Sequence, residues 1–260
     1  MLKLIVGPCV IENEQFTLDL AKDIKKFTDK YSSSIDIFFK ASFDKANRTS
    51  LNSFRGVGIQ EGKRILLRVK NEIGLKTITD IHESFQAEII KDSVDIIQIP
   101  AFLARQTDLL MAAAKTGKII NVKKGQFMAP WDMKNVVKKI EDCGNHNIIM
   151  TERGSSFGYN NLVVDMTSIK EMKKFGYPVI FDATHSVQKP GGLGDKTGGN
   201  REYIETLAYA AIAAGADGIF VEVHPDPDNA LSDGPNSLRL DRFEQFIKNI
   251  VKLKSTTDSF

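Results

Sequence analysis

The chain reads as a closed (β/α)8 barrel, the TIM-barrel architecture, and three observations predict it. Short apolar runs recur about eight times, amphipathic helical stretches separate them, and glycines punctuate the joints. Runs that are apolar throughout belong to strands buried on both faces, as in a parallel sheet covered by helices. Eight such units in 260 residues match a single barrel domain spanning 1–260. The alternative is an open doubly wound sheet, but no glycine-rich dinucleotide fingerprint follows the first strand.

The first run occupies residues 4–6 and stops at Gly7-Pro8, which delivers Cys9 to a loop. A helical pattern follows over 13–30, with Phe16, Leu20, Ile24 and Phe27 on one face. Three serines at 32–34 break it, and the run at 35–39 ends at Lys40. Further runs lie at 76–78, 96–99, 119–122, 147–150, 179–181 and 218–221. Among the later helices, 203–214 and 239–252 show the clearest apolar stripes. Gly74, Gly117, Gly144, Gly176 and Gly215 each precede an apolar run, where a helix C-cap needs the left-handed conformation. Residues 254–260 have no periodicity and read as a loosely held tail. The first strand begins almost at the first residue, which leaves open what closes the barrel's N-terminal end.

Composition narrows the function. A formal net charge of +2 leaves no nucleic-acid footprint. Two cysteines, Cys9 and Cys143, do not make a disulfide framework, so a reducing compartment fits better. The opening apolar run is too short for a signal peptide, and no stretch approaches the roughly 20 apolar residues of a membrane span. The expectation is a soluble, cytoplasmic protein without a membrane or nucleic-acid partner.

A barrel places its active site at the C-terminal strand ends. Those ends read Cys9, Lys40, Asp80 with His82, Gln98, Lys123, Arg153, Asp182 with His185, and Glu222 with His224. One charged residue there is commonly a solvated loop residue, but a purely structural barrel has no reason to end so many strands in charge. Two groupings stand out. Lys40, Lys45, Lys123, Lys124 and Arg153, with Arg48 near Lys45, form a cationic set suited to phosphate or carboxylate ligands. Strand alternation lets only one of Lys123 and Lys124 point inward, and Lys123 is the choice. Cys9, His185, Glu222 and Asp233 form a second set, because closure makes the first and eighth strands neighbours. Thiolate, imidazole and carboxylates suit zinc, iron(II) or manganese, although a packed Cys9 beside a hydrogen-bonded His185 explains the same residues. Glycine- and proline-rich loops at 188–200 and 224–237 are candidates for lid motion.

Several stretches carry a family likeness: GPC with Ile11-Glu12, KASFDKANRTS at 40–50, TDIHE at 79–83, QIPAF at 98–102, RQTDLL at 105–110, NVKKGQF at 121–127, TERG at 151–154, DATHSV at 182–187 and LSDG at 231–234. In this order, over nearly the whole chain, they resemble the 3-deoxy-D-manno-octulosonate 8-phosphate (Kdo8P) synthase family. Lys45-Ala46-Asn47-Arg48 discriminates best, because the sister family using erythrose 4-phosphate carries Lys-Pro-Arg there.

The resemblance implies a homotetrameric transferase, 3-deoxy-8-phosphooctulonate synthase. It would condense phosphoenolpyruvate with arabinose 5-phosphate, releasing phosphate in a step toward lipopolysaccharide. It implies that Lys40, Lys45, Gln98, Ala101, Phe102, Lys123, Gln126 and Arg153 meet phosphoenolpyruvate. Asn47, Arg48, Thr49 and Asp80 would meet the aldose phosphate, with Arg105 reaching in from a neighbouring subunit. Cysteine at position 9, with His185, Glu222 and Asp233, implies the class that depends on a divalent metal. Lys45, Lys123, His185 and Asp233 are the expected catalytic residues. Thr49 stands for a frequent serine and Val223 for a common threonine. The competing readings are the erythrose 4-phosphate enzyme and a non-catalytic phosphosugar-binding barrel.

Overall fold

A computed structural model describes residues 1–189 and 198–259. Eight parallel strands form the barrel: β1 (Leu2–Gly7), β2 (Ile35–Lys40), β3 (Lys76–Asp80), β4 (Ile96–Ile99), β5 (Ile119–Lys123), β6 (Ile148–Glu152), β7 (Val179–Asp182) and β8 (Gly218–His224). Each pairs with its successor, and β8 pairs with β1 from Lys3↔Gly218 to Gly7↔Glu222. That last ladder closes the barrel and excludes the open sheet. The helices are α1 (Glu14–Thr28), α2 (Ile59–Arg68), α3 (Ser84–Ile90), α4 (Thr107–Lys115), α5 (Met133–Glu141), α6 (Thr167–Lys173), α7 (Ile204–Ala213) and α8 (Leu240–Thr257).

Local chemistry explains the boundaries. Asn13 caps α1 by accepting from the Phe16 N–H at 2.9 Å. The five glycines expected at the joints all take positive φ, from 71° at Gly117 to 93° at Gly215. The tail reading of 254–260 is corrected, since α8 runs on to Thr257. Its last turn is closed by Asp258 N–H to the Lys254 carbonyl and by a 2.6 Å Lys254–Asp258 ion pair. A helix already packed through Phe243, Phe246 and Ile250 propagates past its apolar stripe, because each added residue gains a backbone bond.

Strand alternation then builds the interior in layers. Ile5, Phe38, Ile78, Ile96, Ile119, Ile149, Ile180 and Phe220, one from each strand, form the apolar floor. Two residues further along come Gly7, Lys40, Asp80, Gln98, Asn121, Thr151, Asp182 and Glu222. All these side chains are buried. Leaving Gly7 side-chain-free matters here, because a Cβ would stand 2.0 Å from the Lys40 carbonyl oxygen. At the opposite end Asp36 lies 2.6 Å from Lys76 and 3.8 Å from Lys3, and the Lys76 ammonium sits 5.0 Å over the Phe38 ring.

Of the two candidate lids, residues 190–197 lie outside the described residues. The 224–237 stretch is organised by turns at Pro227–Asn229 and Gly234–Asn236, and Leu238–Arg239 pairs with β8. No helix of the described residues is long and apolar enough to cross a membrane.

Candidate active site

The layer above the apolar floor is polar because seven of the eight strands, all but β1 with its Gly7, place a polar residue there, and its groups satisfy one another across the barrel. Lys45 donates to Ser42 Oγ at 3.1 Å, and Ser42 donates to Asp80 at 2.9 Å. Gln98 donates to Asp80 at 3.1 Å, Asn121 to Gln98 at 2.9 Å, and Thr151 to Asn121 at 2.7 Å. On the other side Lys40 lies 3.0 Å from Glu222 and donates to the Cys9 carbonyl at 2.7 Å. Lys123 lies 2.6 Å from Asp182 and 3.6 Å from the Phe220 ring centroid. Lys40 and Lys123 are therefore each matched by a carboxylate rather than left to repel.

Asp182 organises the seventh strand end. It accepts from the His185 backbone N–H at 2.9 Å and from Thr184 Oγ at 3.1 Å, and it faces His185 Nδ1 at 2.8 Å. Burial alone would raise its pKa, but His185 and Lys123 hold it well below the usual carboxylate range. That contact turns His185 Nε2 toward Glu222, at 3.7 Å, and Asp233, at 3.8 Å. Cys9 Sγ stands 3.2 Å from Asp233, and one ligand atom each of Cys9, Glu222 and Asp233 lie within 4.8 Å of one another.

These residues fit a divalent ion. Donors about 2.0–2.3 Å from a tetrahedral centre stand roughly 3.3–3.8 Å apart; the His185–Glu222 and His185–Asp233 pairs, at 3.7 and 3.8 Å, fall in that range and Cys9–Asp233, at 3.2 Å, is just below it. Glu222 Oε2 is buried and has no hydrogen-bond partner among the described residues, so it keeps a free lone pair. Asp233 takes a left-handed φ of 51°, rare for a non-glycine residue. Burial, and then Asp233 and Glu222, push the Cys9 thiol well above its ordinary pKa, a bias that a bound cation reverses.

The surrounding cations differ in setting. Burial pushes Lys123 below the usual lysine range despite Asp182. For Lys45 burial acts the same way, but Cys9, Asp80, Glu222 and Asp233 outweigh it and raise the ammonium above that range. Arg153 donates to the His185 carbonyl at 3.2 Å and to Gln188 at 2.6 Å.

Most of the expected residues thus converge: Cys9, Lys40, Lys45, Asp80, Gln98, Lys123, Arg153, His185, Glu222 and Asp233. Ala101 is buried on the turn after β4, and Gln126 holds a buried, unpartnered Oε1 just beyond β5. Arg48 joins through Ser232, to which it donates at 2.9 Å. Asn47, Thr49, Phe102 and Arg105 are exposed and touch none of this cluster; the Arg105 carbonyl instead accepts from Lys139. Lys124 does not point inward with Lys123, yet it is not solvated. Its side chain points out of the barrel but is 1% exposed, 3.5 Å from Glu152, and donates to the Met128 and Gly154 carbonyls and Ser155. The segments that follow β5 and β6 cover that face, so an outward lysine there is buried too.

Sequence reasoning gave Asp182 no role and missed Ser42, Asn121, Thr151 and Ser232. Asp182 three residues before His185 at a strand end was a usable signal. Asn121 and Thr151 follow from period-two counting back from Lys123 and Arg153. Ser232 carried no signal beyond its neighbour.

The DAHP synthetase I family model matches residues 1–259. Among curated relatives, a 2-dehydro-3-deoxyphosphooctonate aldolase of Geobacter sp. (strain M21) is 61% identical over 98% of this chain and 91% of its own. Proteins of the same name from Citrifermentans bemidjiense (60% identical; 96% of this chain, 90% of theirs) and Cyanothece sp. (57%; 97% and 92%) are similar.

Proposed function

The chain belongs to the DAHP synthetase I family, and from that premise we propose that it is a 3-deoxy-8-phosphooctulonate synthase. It condenses phosphoenolpyruvate with arabinose 5-phosphate and water, giving 3-deoxy-D-manno-octulosonate 8-phosphate and inorganic phosphate on the way to lipopolysaccharide. The observation that carries this reading is near full-length identity to relatives of the corresponding aldolase name. The convergence of three lysines, an arginine and a thiol–imidazole–carboxylate cluster on one barrel mouth agrees with it.

The chemistry assigns roles to the chain's own groups. Phosphoenolpyruvate carries a carboxylate and a phosphate on three carbons, so Lys45, Lys123, Gln126 and Arg153 bind its charge, with Lys40, Gln98 and the Ala101–Phe102 backbone around it. The aldose phosphate lies toward the mouth at Asn47, Arg48 and Thr49, with Asp80 on its hydroxyls and Arg105 supplied by a neighbouring subunit of a homotetramer. The enol carbon attacks the aldehyde and water adds to the adjacent carbon. The tetrahedral adduct then expels phosphate with the bridging oxygen, so that every atom is accounted for. Fixed ammonium and guanidinium groups stabilise the negative charge that builds on the phosphate and the new alkoxide. Asp182 fixes the His185 ring as a ligand, and the Asp233 carboxylate beside it is the group that holds or moves the water's proton. A divalent ion held by Cys9, His185, Glu222 and Asp233 supplies Lewis acidity at that point. The reaction is cytoplasmic.

The test is phosphate release from phosphoenolpyruvate with added zinc, iron(II) or manganese. Turnover with arabinose 5-phosphate faster than with erythrose 4-phosphate is the expected result. The reverse order, or no turnover with either sugar, overturns the reading.

A further inference from the structure

Residues 231–233 form a strap between the ligand cluster and the mouth, and it is held from both sides. The Leu231 N–H donates to Glu12 at 3.0 Å, and the same carboxylate oxygen lies 3.2 Å from His224 Nε2. The Leu231 carbonyl accepts from Arg48 Nη2 at 3.1 Å. Ser232 Oγ accepts from Arg48 Nη1 at 2.9 Å and stands 3.1 Å from Cys9 Sγ. The next residue is Asp233, in its left-handed conformation, with its carbonyl taken by the Asn236 N–H at 3.0 Å and Ser237 Oγ at 3.2 Å. Such a backbone costs about 1–3 kcal/mol and persists only where its surroundings over-determine it.

Arg48 is the only group in this set that also faces the mouth. Its guanidinium has five N–H groups in a rigid fork. Two hold the strap, and the buried Nε has no partner among the described residues. An anion on the remaining N–H groups would hold Arg48 where it already grips Leu231 and Ser232. Without a cation the Cys9 thiol donates to Ser232 Oγ; once a bound cation displaces that proton, the Ser232 O–H, its oxygen already held by Arg48, is free to donate to the thiolate.

We propose that Ser232 is a positioning residue that couples an anion on Arg48 to the metal site of Cys9 and Asp233, so that sugar phosphate and divalent ion bind cooperatively. The proposal rests on the functional reading above. The coupling is reciprocal by linkage: whatever the sugar phosphate adds to metal affinity, the metal adds to sugar-phosphate affinity.

Cadmium is a suitable probe, because its charge-transfer absorption with a thiolate reports coordination by Cys9 without any turnover. Cadmium affinity is measured for the chain alone, with arabinose 5-phosphate, and with unphosphorylated arabinose; calorimetry first establishes that the sugar phosphate binds. Arabinose 5-phosphate is expected to tighten cadmium about tenfold, within the usual range of coupling, and arabinose to leave it unchanged. Ser232→Ala lowers the gain to less than about threefold, and Ser232→Thr, which keeps the hydroxyl, restores it. Thermal melts establish that both variants fold. Equal tightening in wild type and Ser232→Ala overturns the proposal, as does no tightening in a chain that binds the sugar phosphate. A wild-type chain that neither binds arabinose 5-phosphate nor releases phosphate overturns the functional reading itself.

Discussion

At Cys9 two influences oppose each other. Burial and the carboxylates of Asp233 and Glu222 favour the neutral thiol, whereas a divalent ion favours the thiolate. Removing an outer partner of a metal ligand typically costs 10–100-fold in affinity, so Cys9→Ala should cost more than about 100-fold. Elemental analysis after dialysis reads the loss, and phosphate release should fall with it; full metal retention would contradict the assignment. Asp80 has the opposite character. Burial would raise its pKa, but Lys40 and Lys45 hold it well below the carboxylate range. A folded pKa below the unfolded value of about 3.9 means that Asp80 stabilises the fold above that pH. The contribution disappears as pH falls toward the folded pKa. Wild-type stability in urea should therefore drop steeply between about pH 4 and 2, and Asp80→Asn should flatten that slope. Lys124, buried against Glu152, gives a stability prediction: Lys124→Ala should cost roughly 1–3 kcal/mol by urea unfolding, because Glu152 loses its buried cation but keeps its hydrogen bonds from the Arg153 and Gly154 N–H groups and Ser168. Single residues were the least legible scale in the sequence. Alternation assigned Lys123 to the interior correctly, but it could not show that the segments after β5 and β6 bury the outward Lys124. Nor could it show that Ser232 bridges Arg48 and Cys9.

The elements were far more legible. Each of the eight apolar runs became a strand, seven within two residues of their expected limits and the last running three residues further to His224, because uninterrupted β-branched runs such as Ile96-Ile97 suit a sheet covered on both faces. The glycines before them took the left-handed conformation the joints require. The miss at α8 shows what local pattern omits: a packed helix extends by backbone bonding where side-chain periodicity has ended. The end of β1 makes the sharpest test at this scale. A methyl at Gly7 would meet the Lys40 carbonyl, so the first strand must part from the second just where it releases Cys9. Gly7→Ala should destabilise the chain by about 1–3 kcal/mol, an overpacking penalty, and weaken metal binding with it. A variant as stable as wild type, read by denaturant midpoint, would contradict that account of the turn.

For the whole molecule, closure does what no local signal can. The β1–β8 ladder brings Cys9 within hydrogen-bonding distance of residues more than 220 positions away. A ring of strand-end residues thereby becomes one site. The sequence listed the members of that ring, and the family likeness ordered them into two ligand sets. What it lacked was the pairing of Lys40 with Glu222 and of Lys123 with Asp182, because that depends on how the strands are arranged around the barrel. The central claim is a carbon–carbon condensation in which water attacks carbon, and its most direct measurement is the reaction run in oxygen-18 water with phosphoenolpyruvate and arabinose 5-phosphate. The account predicts an eight-carbon sugar-acid phosphate by mass, together with inorganic phosphate that contains no solvent oxygen. Solvent label in the phosphate, or no eight-carbon product, would contradict it.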